Sequence, residues 1–207
     1  MSSADARGPL RVAVLASGQG SIFASLVAAG RRYGSVFEVV LLISSRLQAP
    51  ALGAAGQLGI NAAPIVEGDN GPEGTDSEIE RLLSAAKVDL VVLAGYVRRV
   101  GPRTLGAFAG RIINTHPAPL PRFGGKGMYG EHVHRAVLES GISSSAATIH
   151  LVDADYDSGA VIAEQAVPVL KGDDVESLKA RVQVAEKDLL VTTIKGWAAN
   201  ARSSSDS

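Results

Sequence analysis

Continuous apolar runs alternate with helical patterns through the first half of the chain. A strand covered on both faces carries apolar residues at consecutive positions, whereas a helix spaces them by three or four. The apolar runs predict strands over residues 10–16, 37–43, 61–66, 88–94 and 111–114, and the segments between them predict helices over residues 21–32, 49–58 and 75–86. This alternation is typical of a parallel sheet with helices on both faces.

Two of these helices carry residues that favour helix ends. Gly59 follows the second helix, and glycine commonly ends a helix. Thr75 stands at the start of the third helix with Glu78 three residues later, which is the spacing of a capping box. We therefore expect the second helix to end at Gly59 and the third to begin at Thr75.

The second half of the chain has a different order of elements. After a glycine-rich segment at residues 123–130, residues 132–139 are predicted to be helical. Strands at residues 146–152 and 160–167 are joined by an acidic turn, and a helix over residues 174–198 follows. The hairpin indicates antiparallel strands added to the sheet edge. The predicted fold class is therefore α/β, a doubly wound and mostly parallel sheet with helices on both faces and antiparallel strands in the C-terminal half.

Length and composition favour one domain. The 207 residues, 46% of them hydrophobic, suffice for one well-filled core. We expect it to span residues 10–200, between flexible tails at 1–9 and 201–207. A net charge of −1 gives no support for a nucleic-acid-binding surface, and no apolar run approaches the roughly 18 residues of a membrane span. The absence of cysteine excludes disulfides and thiolate chemistry, and the start of the chain lacks an apolar signal core, so the expected location is the cytoplasm.

Three informative segments follow predicted strands, at residues 17–21, 95–100 and 114–121. In doubly wound sheets, ligands bind beyond the carboxyl ends of the strands, where the strand order reverses. The three segments are therefore expected to converge on one site. Residues 95–100 could line a ligand slot with backbone groups, although their two arginines also suit a solvated turn.

Asn114 and His116 are the clearest candidates for chemistry. Side chains two residues apart on a strand point to the same face, so both should reach one site. Each offers a hydrogen-bond donor, and histidine can exchange a proton near neutral pH. Prolines at 117, 119 and 121 stiffen the following turn. The arrangement suits stabilisation of a developing oxyanion, although an asparagine at a strand end also forms turns and a single histidine is often structural.

Residues 17–21, Ser-Gly-Gln-Gly-Ser, form a candidate phosphate loop. Small residues let backbone N–H groups at a helix N-terminus approach an anion, and Ser21 adds a hydroxyl. A dinucleotide fingerprint fails because its third glycine would be Phe23, and the lysine of a P-loop is missing. The prediction is one bound phosphate, with a plain tight turn as the alternative.

The acidic turn holds Asp153, Asp155 and Asp157 and has three interpretations. It resembles a calcium loop, but Gly159 stands seventh from Asp153, whereas the EF-hand pattern needs glycine sixth. It also suits a solvated hairpin turn, or an acid that pairs with His116 and raises the histidine's pKa. No metal site is expected, because the remaining histidines lack metal-ligand geometry: His132, His134 and His150.

Taken together, these segments resemble the glycinamide ribonucleotide transformylases, the folate-dependent phosphoribosylglycinamide formyltransferases of purine synthesis. The most specific parts are Ile-Asn-Thr-His-Pro at residues 113–117, Leu-Pro at 120–121, Leu-Ala-Gly-Tyr at 93–96 and Asp-Ser-Gly-Ala at 157–160. The resemblance runs from residue 10 to residue 197, and the order and spacing of the parts match as well.

The resemblance implies roles for individual residues. The catalytic groups would be Asn114, His116 and Asp157. The nucleotide substrate would contact Gly20, Ser21, Ile22, Pro117 and Glu186, the last through its ribose. The folate would contact Val97, Arg98, Arg99, Val100, Asn114, Asp153, Ala154, Asp155, Tyr156 and Asp157.

The chain departs from the family pattern at three places. The family usually has asparagine where Ile22 stands, which removes a side-chain contact to the phosphate but leaves the backbone N–H. A family arginine that contacts folate has no clear counterpart near residues 68–75. The segment at residues 124–131 is longer than in some relatives.

The implied reaction is transfer of the formyl group of 10-formyltetrahydrofolate to the amine of glycinamide ribonucleotide. The Asn114 amide and protonated His116 would meet the tetrahedral oxyanion, with Asp157 favouring the protonated ring, and no metal would be needed. The expected partners are small-molecule substrates, not nucleic acid or a membrane, and a homodimer is left open.

Three rival functions are expected to differ in recognisable ways. Methionyl-tRNA formyltransferases normally have a C-terminal domain for tRNA and an Arg-Gly segment where residues 123–126 read Phe-Gly-Gly-Lys. Formyltetrahydrofolate deformylases normally have an N-terminal regulatory domain, but about nine residues precede the first predicted strand here. A non-enzymatic nucleotide-binding module would keep the phosphate loop without needing Asn114, His116 and Asp157.

Overall fold

The computed structural model describes residues 8–68 and 71–203, and in these residues seven strands form one sheet with six helices around it. The strands are β1 Leu10–Leu15, β2 Phe37–Ser44, β3 Asn61–Pro64, β4 Leu90–Leu93, β5 Ile112–His116, β6 Ser144–Leu151 and β7 Val161–Pro168. The helices are α1 Ser21–Gly30, α2 Pro50–Gln57, α3 Gly71–Ala85, α4 Pro102–Ala107, α5 Glu131–Glu139 and α6 Val175–Ser203.

The sheet order is β3-β2-β1-β4-β5-β6-β7. The first five strands in the chain pair in parallel, whereas β6 runs antiparallel to β5 and β7 runs antiparallel to β6. This confirms the predicted fold class, including the antiparallel hairpin at the sheet edge. The strand order reverses between β1 and β4, which therefore border the crevice where a ligand is expected in a doubly wound sheet.

Alternating side chains of the central strands build an apolar core on each face of the sheet. Val12 and Val14 pack with apolar residues of α1, α2 and α6, while Ala13 and Leu15 pack with residues of α3 on the opposite face. All four side chains are fully buried. Continuous burial on both faces explains why residues 12–16 form an unbroken apolar run.

One local expectation was wrong, and one helix was missed. The third helix begins at Gly71, not at Thr75, whose hydroxyl lies inside the helix and donates to the Gly71 carbonyl oxygen at 3.0 Å. Pro72 suits this earlier start because a first-turn residue needs no backbone N–H partner. The sequence patterns also missed α4, a helix of six residues that is too short to show a period.

Other helix ends agree with the sequence. Gly59 adopts a positive φ of 63° just after α2, as expected of a glycine that ends a helix. The last helix continues to Ser203, three residues into the predicted tail. The rest of that tail, and residues 1–7 of the N-terminal one, lie outside the described residues. No helix in the described ranges has the length and apolarity needed to cross a bilayer.

Candidate active site

One cavity of about 680 Å³ opens at the carboxyl ends of β1, β4 and β5. All three segments that were expected to converge contribute to its wall. The lining comprises residues 18–22, 93–100, 114–117, 125–130 and 152–157, together with His134, His150, Lys179, Gln183 and Glu186.

Asn114, His116 and Asp157 meet at this cavity, although Asp157 is distant from the other two in sequence. The Asp157 Oδ1 atom lies 3.4 Å from Asn114 Nδ2, and its Oδ2 atom lies 3.6 Å from His116 Nδ1. Strand alternation along β5 places the amide and the imidazole on one face. The structure therefore agrees with the interpretation in which one acid of the turn pairs with His116, and that acid is Asp157.

The Asp157 carboxylate is held by several groups at once. Its side chain is 11% exposed, and its Oδ2 atom accepts a hydrogen bond from the Gly125 N–H at 2.9 Å. A Cβ on Gly124 would lie 2.5 Å from Leu120 Cδ2 and 3.0 Å from Asp157 Cβ, so the close approach of this loop requires glycine. Burial acts to raise the pKa of Asp157, but its contacts with His150, His116 and the Gly125 N–H lower the pKa overall.

His116 is a buried imidazole whose two nitrogens have different partners. Nε2 lies 2.8 Å from the Phe123 carbonyl oxygen, which can only accept, so this nitrogen carries the proton in the neutral ring. Nδ1 then keeps a lone pair on the side of Asp157. Burial lowers the pKa of His116 below its ordinary value and outweighs the opposing effects of Asp157 and Phe123. Asp157 thus acts on the pKa in the expected direction, but the net shift is downward because the ring is only 3% exposed.

His150 belongs to the same cluster and was missed as a functional residue. It pairs with Asn114 across β5 and β6, and its Nε2 lies 2.9 Å from Asn114 Nδ2 and 3.5 Å from Asp157 Oδ1. Its Nδ1 lies 2.8 Å from the Leu151 carbonyl oxygen and must donate to it, so the neutral ring accepts from Asn114 at Nε2. His150 therefore fixes the direction of the Asn114 amide.

The candidate phosphate loop leads directly into α1. Gly20 precedes the helix with a φ of 76°, and a Cβ there would lie 2.7 Å from Ala51 Cβ. Glycine is thus required both by the left-handed backbone and by the contact with α2. Ser21 is the exposed first residue of α1, and the Ile22 side chain packs against the apolar core, so an anion here would meet backbone N–H groups and one hydroxyl.

The two segments expected to bind folate contact each other at the cavity wall. Arg99 forms an ion pair of 2.7 Å with Asp155, hydrogen-bonds the Ala154 carbonyl, and lies 5.4 Å from the centre of the Tyr156 ring. Arg98 instead pairs with Glu67 at 3.5 Å. The remaining residues of this set also line the cavity: Val97, Val100, Asp153 and Asp157.

A buried serine ties one of these segments to the phosphate loop. The Ser17 hydroxyl accepts a hydrogen bond from the Val97 N–H at 3.1 Å and lies 2.6 Å from the Ser45 hydroxyl. The Ser17 N–H also donates to the Gly95 carbonyl oxygen at 3.1 Å. These bonds fix the loop after β4 relative to the loop after β1.

Pro117 and Glu186 line the same cavity. Glu186 is 5% exposed and accepts a hydrogen bond from the Thr115 hydroxyl at 2.9 Å. Burial raises the pKa of Glu186 to about 7, while the Thr115 hydrogen bond and the charge of Lys187 lower it. The carboxyl group therefore gives up its proton much less readily than an exposed glutamate.

Further cavity residues carry chemistry that sequence reasoning did not assign. Burial lowers the pKa of His134 to about 4, and the charges of Lys179 and His116 act in the same direction. Lys126 and Gln183 also reach the cavity wall. His134 on α5 and Gln183 on α6 reach the cavity because the two helices pack together, and the sequence pattern does not predict that packing.

The calcium-loop interpretation of the acidic turn has no support in the structure. Asp153 Oδ1 accepts hydrogen bonds from the Ser158 hydroxyl at 2.6 Å and the Asp155 N–H at 3.1 Å, as in an ordinary turn. Among the residues that the structure describes, no group of three or more acids and histidines could hold a metal ion.

The geometry supports acyl-type chemistry. A neutral imidazole with a lone pair beside a carboxylate can take a proton and hold it. An oriented amide nearby can donate to an oxyanion. A helix N-terminus in the same cavity offers a place for a phosphate.

Comparison with known proteins agrees with this geometry. The sequence profile of the formyl transferase family matches residues 10–194. A chloroplastic phosphoribosylglycinamide formyltransferase from Vigna unguiculata is 37% identical over 186 residues, which cover 89% of this chain and 60% of that protein. The chain thus spans less than two thirds of that relative's length.

Two further relatives are matched over most of their length. A phosphoribosylglycinamide formyltransferase from Mycobacterium tuberculosis is 37% identical over 190 residues, covering 92% of this chain and 86% of that protein. The crystal structure of glycinamide ribonucleotide transformylase 1 from Symbiobacterium toebii superposes with a TM-score of 0.85 at 34% identity, covering 93% of this chain and 89% of that one. The resemblance to these formyltransferases is confirmed, and the chain belongs to the formyl transferase family.

Proposed function

We propose that the protein transfers the formyl group of 10-formyltetrahydrofolate to the amine of glycinamide ribonucleotide in purine biosynthesis. The products are formylglycinamide ribonucleotide and tetrahydrofolate. The observation that carries the proposal is the position of Asp157, which lies 3.4 Å from the Asn114 amide and 3.6 Å from His116 Nδ1 in a cavity that also contains the N-terminus of α1.

The two substrates would occupy different ends of the cavity. The nucleotide phosphate meets the N–H groups of Gly20, Ser21 and Ile22, and the ribose lies between Pro117 and Glu186. The folate lies against residues 97–100 and 153–157, where Val97 and Val100 supply apolar contact. This arrangement brings the amine and the formyl group together beside Asn114 and His116.

In the proposed mechanism, the amine nitrogen attacks the formyl carbon and a tetrahedral oxyanion forms. His116 Nδ1 takes the proton that the amine loses, since its lone pair faces Asp157 and the cavity. The resulting imidazolium, next to the Asp157 carboxylate, stabilises the oxyanion. The bond from the formyl carbon to N10 of the folate then breaks, and the same proton passes to N10.

Asn114 supplies the second oxyanion contact. One hydrogen of its amide is held by His150 at 2.9 Å, whereas the other faces Asp157 at a long 3.4 Å. A long hydrogen bond is weak, so this N–H, whose direction the His150 contact fixes, is available to negative charge that develops on the formyl oxygen beside it. The amide thus binds the transition state more strongly than the ground state.

A formyl-transfer assay with three acceptors tests the proposal. The purified chain is given 10-formyltetrahydrofolate with glycinamide ribonucleotide, with methionyl-tRNA, or with water alone, and each product is quantified. Rapid formation of formylglycinamide ribonucleotide, lost in His116→Ala, supports the proposal. Formate release without an acceptor indicates a deformylase, and formylation of methionyl-tRNA indicates a methionyl-tRNA formyltransferase. Either result in place of formylglycinamide ribonucleotide would overturn the proposed function.

The same proposal covers the domain and its setting. Residues 10–200 act as one catalytic domain, in the cytoplasm, on small-molecule substrates and without a metal. Activity that persists after treatment with a chelator checks that no metal is needed. Fractionation of cells that make the protein checks its location in the cytoplasm.

A further inference from the structure

Thr115 lies between the two catalytic candidates of β5 but points away from them. Strand alternation turns its side chain to the opposite face from Asn114 and His116. There its hydroxyl donates to Glu186 Oε1 on α6 at 2.9 Å. Both partners are 5% exposed, so this hydrogen bond joins the catalytic strand to the helix in a site with little water.

Glu186 has no strong ionic partner in the described part of the chain. No cation lies within ion-pair distance of its carboxyl group, and the charge of Lys187 acts on it only from farther away. A buried carboxyl group without a cation depends on neutral hydrogen-bond donors for its orientation and for the stability of its charged form. In this structure Thr115 is such a donor.

We propose that Thr115 is a positioning residue for the nucleotide: its hydroxyl fixes Glu186 Oε1, so that Oε2 accepts hydrogen bonds from the ribose hydroxyls. This role rests on the proposed function, because it takes the ligand to be a ribonucleotide. An ionised carboxylate accepts from a pair of vicinal hydroxyls more strongly than a neutral acid does. Thr115 thus acts on substrate binding through Glu186, without touching the substrate.

Three variants separate this role from packing. Thr115→Val keeps the side-chain shape but removes the donor, whereas Thr115→Ser keeps the donor and loses a methyl group. Thr115→Ala also removes the donor and serves where the valine variant folds poorly. If the hydroxyl matters, the valine and alanine variants should behave alike and the serine variant should resemble the wild type.

The kinetic experiment measures KM for both substrates between pH 6 and 9. Loss of one hydrogen bond to a charged group should raise the nucleotide KM of Thr115→Val about tenfold at pH 7. The folate KM and the kcat should stay within about twofold, because the loss acts on ground-state binding. The difference should shrink toward pH 9, where Glu186 ionises in every variant.

Other titratable groups of the cavity are common to all the variants. They include His116 on β5, His150 on β6, His134 on α5, Lys179 on α6, and Lys126 and Asp157 in the loops. Lys187, which acts on Glu186 through its charge, is the neighbouring residue on α6. Their protonation changes with pH too, but the comparison of valine with serine at position 115 cancels these effects. The remaining difference in nucleotide KM between the valine and serine variants measures the effect of the Thr115 hydroxyl.

A titration of the free enzyme tests the contact without any substrate. Glutamate labelled with ¹³C at Cδ is introduced, and the Glu186 signal is assigned by its loss in Glu186→Gln. The midpoint should move to higher pH in Thr115→Val and Thr115→Ala and stay unchanged in Thr115→Ser. An unchanged midpoint, or a shifted midpoint with an unchanged nucleotide KM, would overturn the inference. A wild type that does not formylate the nucleotide would instead refute the proposed function, while the titration would still decide whether Thr115 controls Glu186.

Discussion

Asp157 faces His116 on the ring nitrogen that has no carbonyl partner, with Oδ2 3.6 Å from Nδ1. The other nitrogen, Nε2, is held by the Phe123 carbonyl oxygen at 2.8 Å. The ring is therefore fixed at one nitrogen and reactive at the other. Protonation of Nδ1 turns its contact with Asp157 into an ion pair, which stabilises the imidazolium only once a proton has been taken up.

Asp157→Asn should lower kcat and move the pH profile. The carboxylate acts to raise the pKa of His116 against the stronger effect of burial, so its removal should lower that pKa further. The limb of kcat/KM that reports uptake of a proton by His116 should then shift to lower pH. The fall in kcat should be on the order of 10²-fold, in the range of general acid–base contributions. The measurement is kcat/KM between pH 5 and 9.

Asp188→Asn is the matched control for that variant. Asp188 is exposed on α6, so the same loss of one charge should leave both kcat and the pH profile unchanged. A profile for Asp157→Asn that overlays the wild type would contradict the assigned coupling between Asp157 and His116.

Asn114→Ala and His116→Ala should each lower kcat by on the order of 10²–10³, the usual cost of losing one oxyanion donor. Both groups act on charge that develops during transfer, so KM should change far less than kcat. Circular dichroism checks that each variant is folded, and Asn61→Ala on the exposed strand β3 is the control. Near-normal turnover by His116→Ala would leave this histidine with a purely structural role.

The sequence could predict the parts of this site that depend on local periodicity. Alternation along β5 placed Asn114 and His116 together, and the order of apolar runs identified the sheet. It could not identify His150, because the partner of Asn114 depends on the register between β5 and β6. The early start of α3 was missed because Thr75 and Glu78 formed an equally good local signal that tertiary structure did not use.

The pKa of His116 shows a different limit. Sequence reasoning counted an acid near the ring and expected the pKa to rise. Asp157 does act in that direction, but the net shift of the pKa depends on how much of the ring is buried. Sequence motifs can predict which charged residues lie near a histidine. The loss of water around the ring, which also shifts its pKa, can be seen only in the packed structure.

Gly20→Ala should weaken nucleotide binding and lower stability together. The new Cβ would lie 2.7 Å from Ala51 Cβ, at a backbone φ of 76° that alanine rarely adopts. We expect a loss of about 1–3 kcal/mol in the free energy of unfolding, as for other residues held in a sparsely populated backbone region. The nucleotide KM should rise about tenfold, which equals about 1.4 kcal/mol, with little change in the folate KM.

Gly53→Ala serves as the comparison for Gly20→Ala. Gly53 lies within α2, and a Cβ there would meet no atom within 4 Å, so neither stability nor KM should suffer. Equal increases in the KM of both substrates for Gly20→Ala would argue that the loop supports the whole cavity and not the phosphate end.

Glu186→Gln should remove a pH-dependent penalty from the stability of the protein. The pKa of Glu186 is about 7 in the folded chain against 4.5 when exposed, so the folded state binds more protons between these values. Stability therefore falls as pH rises from about 4.5 to 7, and the penalty is fully present above the folded pKa. The shift corresponds to about 3 kcal/mol in the free energy of unfolding.

Urea unfolding of both proteins at several pH values between 5 and 8 measures this effect. Glutamine cannot ionise but keeps an oxygen for the Thr115 hydroxyl, so the variant should become more stable relative to the wild type as pH rises. The other titrating groups are common to both proteins, and their contributions cancel in the difference. Glu139→Gln on the exposed end of α5 should give a flat difference over the same range. An equally flat difference for Glu186→Gln would mean that Glu186 ionises in the folded protein as easily as in water, and that its burial has no electrostatic cost.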